Sequence, residues 1–142
     1  MGLSSFLMQN ALKTEHELIQ VSERFVDPET GEAEFWEIRA LDAAEQDECE
    51  KRATKMVRVG KTDRYEAKTD NVLFGMYTVT KAVVYPNLLD KELQESYGVQ
   101  TPEALLNRML KPGERSVLIN ACNKLNGYVN PGVDEAIDEA KN

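Results

Sequence analysis

The sequence predicts an α+β fold, with an N-terminal β-hairpin packed on a mainly α-helical domain of about four to five helices. Three observations predict it. Residues 17–25 and 34–41 alternate apolar and polar positions on either side of a Pro/Gly turn. Beyond residue 41 the apolar spacing changes to that of helices. Helix punctuation then recurs, with starts at Asp42, Asp90 and Thr101-Pro102 and stops at Gly98 and Gly127.

Residues 1–16 read as an arm or a first short helix, since Phe6, Leu7, Ala11 and Leu12 are only loosely periodic. In 17–25, Ile19, Val21 and Phe25 share one face, and Gln20, Ser22 and Arg24 share the other. Asp27-Pro28-Glu29-Thr30-Gly31 is a turn by its chemistry, because Pro presets φ and Gly accepts positive φ. In 34–41, Trp36, Ile38 and Ala40 share a side, which completes a hairpin with a long loop.

Asp42 with Glu45 three residues on makes a capping-box variant and opens a helix expected over 42–58. Its acids precede its bases, which complements the helix dipole, and Asp47–Lys51 and Glu48–Arg52 fall at i, i+4. Residues 59–69 are expected to be a loop or a short edge strand. Asn71 to Tyr85 is apolar nearly all round. Its length favours a buried central helix, ended by Pro86, over a strand, and Gly75 suggests close packing or a weak point. Asp90 caps a short helix to Tyr97, and Thr101-Pro102 opens one through Leu110. After Lys111-Pro112-Gly113, residues 114–126 carry the core stripe Val117, Leu118, Ala121, Cys122 and Leu125. The expected division is one domain over 1–128 and an acidic, mobile tail over 129–142.

The net charge is −8 at pH 7. A chain this acidic is a poor generic phosphate binder, which argues against nucleic acid. Apolar runs fall far short of the ~18 residues of a membrane span, and the N-terminus lacks signal-peptide features. Cys49 and Cys122 lie far apart with no metal-ligand spacing, and read as reduced core residues. The single histidine, His16, has no motif around it and reads as a surface residue. No phosphate-binding glycine loop, nucleophile elbow, zinc-protease or calcium-loop motif is present, so no cofactor, metal or catalytic residue is expected.

Three features admit a binding reading. Residues 51–68 hold seven lysines and arginines against Asp63 and Glu66. A solvated helix end is preferred there to a nucleic-acid patch, because Tyr65 is the single aromatic. Phe35 beside Trp36 places aromatics on both faces of one strand; the preferred reading is one ring in the core and the other covered by a helix, and the alternative is Phe35 as an exposed partner anchor. Tyr85-Pro86-Asn87-Leu88-Leu89 is either a helix stop packed on the core or a partner-facing loop.

The order of short motifs resembles the XkdN-like phage tail assembly chaperones. The stretch Val83-Val84-Tyr85-Pro86-Asn87-Leu88 carries the likeness, followed by Glu92-Leu93-Gln94 and Ser96-Tyr97-Gly98-Val99. Leu105-Leu106, Met109-Leu110, Gly113-Glu114 and Leu125-Asn126-Gly127-Tyr128 continue it. Upstream, Phe6-Leu7, Ser22-Glu23-Arg24-Phe25 and Phe35-Trp36-Glu37-Ile38-Arg39 match the same layout, so the likeness spans about 6–128 and leaves the tail outside. The resemblance implies a non-enzymatic chaperone of tailed phages and prophages, acting in the bacterial host cytoplasm. Its implied partners are the tape-measure protein, which it keeps soluble, the tail tube protein, and a second copy of itself. In that family a ribosomal frameshift often yields a longer second product. The candidate partner-binding residues are Phe35, Tyr85, Asn87, Leu88, Leu89 and Tyr97. A nucleic-acid adaptor using 51–68 and a small enzyme with an unmarked site are the alternative readings.

Overall fold

Two short strands bracket the Pro/Gly turn, as the alternation requires. In the computed structural model, which describes residues 2–128, β1 (Glu17–Ile19) pairs antiparallel with β2 (Trp36–Ile38). Between them, Asp27 Oδ1 accepts from Glu29 N–H at 2.7 Å, and Gly31 takes φ +73°, which a side chain would oppose. The arm before β1 is exposed and holds one 3₁₀ turn, Ser4–Phe6.

The helix opened by Asp42 is α1 (Ala43–Arg52), with both halves of the capping box formed. It is shorter than the 42–58 expected. Thr54–Arg58 form β3, which pairs antiparallel with β4 (Tyr65–Thr69). The apolar stripe of α1 ends at the buried Ala53, and Met56 and Val57 then find a ladder partner that local charge pattern does not reveal. The expected i, i+4 ion pairs do not form among the described residues. Glu48 pairs with Lys81 at 2.8 Å, and Arg52 stacks 3.9 Å over the Tyr77 ring.

Asp70 caps α2 (Asn71–Ala82), whose buried residues are Met76, Val79 and Ala82. Here too the expectation was too long. The chain leaves the helix at Val83 and runs as β5 (Val83–Tyr85) along the free edge of β2, giving a three-stranded antiparallel sheet in the order β1-β2-β5. Three β-branched or aromatic residues beside an unpaired edge outweigh continuation of the helix. Pro86 follows the strand and does not end the helix directly.

The remaining punctuation is as predicted, except that Pro112 and Gly113, read as a break, are the first two residues of the last helix. Asp90 caps α3 (Lys91–Ser96), with Gly98 at φ +67° beyond it. Thr101 caps α4 (Pro102–Met109), and α5 (Pro112–Leu125) ends before Gly127 at φ +88°. The core joins one face of the sheet (Trp36, Ile38, Val83) to α2, α4 and α5 through Val79, Leu105, Leu106 and Leu118. Val117, expected in that stripe, is instead half exposed. Both cysteines are buried and unpaired, and burial pushes the Cys122 thiol up to about 12. The acidic tail expected over 129–142 lies outside the described residues.

Arg24 ties the sheet end to the helices. Its guanidinium donates to Met109 O at 2.8 Å and to Glu114 Oε2 at 3.1 Å. That contact holds the Glu114 carboxyl at about 2. Ser22, expected on the outer face, is buried at this corner, where its Oγ accepts from Arg24 N–H.

Candidate docking surface

Strand pairing decides which side chains share the outer face of the sheet. Leu18 lies opposite Glu37, and Glu37 opposite Tyr85, so the three form one row across it. Their neighbours Ile19, Trp36, Ile38 and Val83 pack inward. The row is half open to solvent, with Leu18 67% and Tyr85 53% exposed. Phe35, two residues before Glu37, is 48% exposed. His16 Nδ1 lies 3.7 Å from Glu37 Oε2, the middle residue of that row. The Trp36 ring is buried against Phe25, with centroids 6.1 Å apart. Of the two adjacent aromatics, one is therefore core and the other is displayed.

The Tyr85–Leu89 segment divides in the same way. Leu88 is 3% exposed and belongs to the core. Asn87 shapes the turn, its Oδ1 accepting from Leu89 N–H at 3.1 Å. The buried Gln94 fixes that turn from α3, donating from Nε2 to Leu88 O at 2.8 Å. Leu89 is thereby held outward, 71% exposed. It lines a cleft of about 520 Å³ with Tyr77, Asn87, Thr101 and Glu103. Tyr97, after α3, keeps about a third of its surface in water and stands near Arg24. The six sequence candidates thus fall into a sheet-face pair, Phe35 and Tyr85, a turn, Asn87 to Leu89, and the separate Tyr97.

Sequence reading missed Leu18 and the arm. Leu18 falls on the polar side of its strand's alternation, and that out-of-phase leucine was the available signal. In the arm, Leu3, Phe6, Met8 and Leu12 are all strongly exposed. Contiguous apolar display of this kind marks interaction surfaces on soluble proteins. Among the described residues, no three His, Cys, Asp or Glu side chains cluster in a way that would hold a metal ion, and no helix is long and apolar enough to cross a membrane.

The chain matches the phage XkdN-like tail assembly chaperone proteins over residues 3–141. That span includes most of the tail that the short motifs left out. Two Bacillus subtilis (strain 168) proteins are similar along almost all of it. The protein YqbN is 29% identical, and the phage-like element PBSX protein XkdN is 26% identical, each alignment covering 99% of this chain and 93% of the relative. The crystal structure of YqbN superposes with a TM-score of 0.75 at 27% identity, covering 91% of this chain and 98% of the other. With the fold shared and the family match running nearly end to end, the chain belongs to the XkdN-like phage tail assembly chaperones.

Proposed function

We propose that this chaperone binds the tape-measure protein of a tailed phage or prophage, keeps it soluble until the tube encloses it, and promotes assembly of the tail tube. The work is non-enzymatic and needs no cofactor, and its place is the bacterial host cytoplasm. The observation that carries this reading is the outward row of Leu18, Phe35 and Tyr85 on an acidic chain. Apolar side chains held on a rigid sheet grip an exposed apolar chain, while net negative charge keeps the complex dispersed. Leu89 and Tyr97 extend the contact, and Asn87 sets the turn that presents Leu89.

The test is co-expression with the tape-measure protein of the same gene cluster, followed by sizing with light scattering. The expected result is co-elution of two proteins, with the tape-measure chain insoluble when expressed alone. Phe35→Asp with Tyr85→Asp, both at exposed positions, is expected to abolish co-elution while the variant stays folded. A tape-measure chain that is soluble unaided and ignores this protein overturns the proposal.

A further inference from the structure

The β3–β4 hairpin has no role in the reading above. It stands on the end of α1 and is held at its base by Asp70 N–H donating to Ala53 O at 2.9 Å, and by the Thr54–Thr69 hydroxyl contact at 2.7 Å. Beyond that base both faces are in water. One face carries Lys55 directly opposite Lys68. Like charges in that position destabilise a hairpin, and neither lysine has an ion-pair partner among the described residues. The other face carries Met56 opposite Ala67 and Arg58 opposite Tyr65, with Met56 64% exposed. A two-stranded hairpin that buries neither face is marginal by itself.

Its charge is also out of keeping with the chain. Residues 51–68 hold seven bases against two acids in a protein of net charge −8. The complement is present in the same molecule. Residues 15–37 hold eight acids and one arginine, Arg24, and that arginine is already committed to Glu114. Glu15, Glu17, Glu29 and Glu32 of this stretch are exposed. The two regions therefore match in charge, bases to acids.

We propose that the basic β3–β4 hairpin of one copy docks on the acidic 15–37 surface of a second copy of this chain. The contact is electrostatically steered, so it is salt-sensitive, and it places opposite charge beside Lys55 and Lys68. It stands independently of any tape-measure partner, because the purified chain alone is sufficient to form it.

The experiment is sedimentation equilibrium of the full chain up to about 100 μM, near the weak end of specific association. Salt is raised from about 50 mM to about 500 mM, which shortens the screening length severalfold. The expected result is concentration-dependent self-association that weakens by about tenfold or more across that range. The double variant Lys55→Glu/Lys68→Glu is expected to be monomeric, as is Glu17→Lys/Glu32→Lys. An equimolar mixture of the two is expected to recover a complex, which a merely structural defect does not permit. Melting curves of each variant confirm folding. A native chain that stays monomeric at low salt overturns the proposal. Self-association indifferent to either reversal does so too, as does failure of the mixture to recover a complex. A hairpin that instead retains a single-stranded oligonucleotide, with no self-association, assigns the charge to nucleic acid.

Discussion

Gly75 sits inside α2, and its replacement by alanine tests the packing of that helix directly. Glycine inside a helix costs roughly 0.5–1 kcal/mol relative to alanine through backbone entropy. The sequence suggests that a neighbour demands the missing side chain, or that the helix is weak there. The geometry excludes the first. Gly75 has helical φ, and a Cβ built on it meets nothing within 4 Å. The position faces a cleft of about 350 Å³ between α2 and α5, beside Phe74, Val79, Ile119 and Tyr128. Gly75→Ala is therefore expected to stabilise the protein by roughly 0.5–1 kcal/mol, a rise of about 2–5 °C in Tm for a chain of this size. The control is Gly98→Ala, where the space is equally empty but φ is +67°. That variant is expected to lose about 1 kcal/mol through strain alone. Thermal melts followed by far-UV circular dichroism, with urea titrations for ΔG, read both. A Gly75→Ala variant less stable than the native chain refutes the reasoning, because it means that α2 and α5 approach more closely than the cleft allows.

Val79→Asp, on the same helix but 2% exposed in the core, is expected to cost about 4 kcal/mol or more and to abolish the cooperative melt; a transition within a few degrees of the native one refutes its placement. Glu45→Gln keeps the capping-box acceptor for Asp42 N–H but loses the ion pair with Arg39, whose hydrogen bond is the main reason the Glu45 carboxyl is lowered to about 2. A depressed carboxyl stabilises the fold above its ordinary value of 4.5, and that stabilisation fades as pH falls toward 2. The variant is thus expected to be about 1 kcal/mol less stable at pH 7, after allowance for solvent screening, with the gap closing on acid titration; a gap independent of pH refutes the pairing.

Helix starts and stops were legible because each rests on local chemistry. Asp42, Asp90 and Thr101 cap with their own side chains, and Gly98 and Gly127 take positive φ where the chain leaves α3 and α5. The two helices expected to run too far share a cause. In 54–58 and 83–85 a helix pattern runs on into β-branched residues, and the element that captures each segment lies elsewhere in the chain. β4 captures the first and β2 the second, and neither pairing has a signature within a short window. The docking surface was legible in part for the same reason. An aromatic on the wrong face of a strand, Phe35, is visible in sequence, whereas the row joining it to Leu18 and Tyr85 requires the register of three strands. Leu88 shows the converse, because motif order places it beside Leu89 and only the fold separates a core leucine from an exposed one.

The exposed row also bounds how this chaperone is able to hold a client. Leu18 has already surrendered about a third of its surface to the fold, and Phe35 and Tyr85 about half. Full burial of such a side chain is worth roughly 1.5–3 kcal/mol, so covering the remainder yields about 1 kcal/mol each. About 3 kcal/mol from the row does not exceed the ~4–15 kcal/mol that association costs in lost freedom. A single copy on a single client segment is therefore a weak contact even with Leu89 and Tyr97 added. Weakness suits the proposed function, in which the chaperone is displaced as the tube closes. Under the proposed function, retention of a long client comes from number, with several copies along one chain, each bound copy raising the local concentration of the next. Docking of a basic hairpin on the acidic 15–37 surface of the adjacent copy strengthens such an array without tightening any one grip on the client. Because that link is electrostatic while the grip is apolar, salt separates the two, dispersing the array before it releases the client.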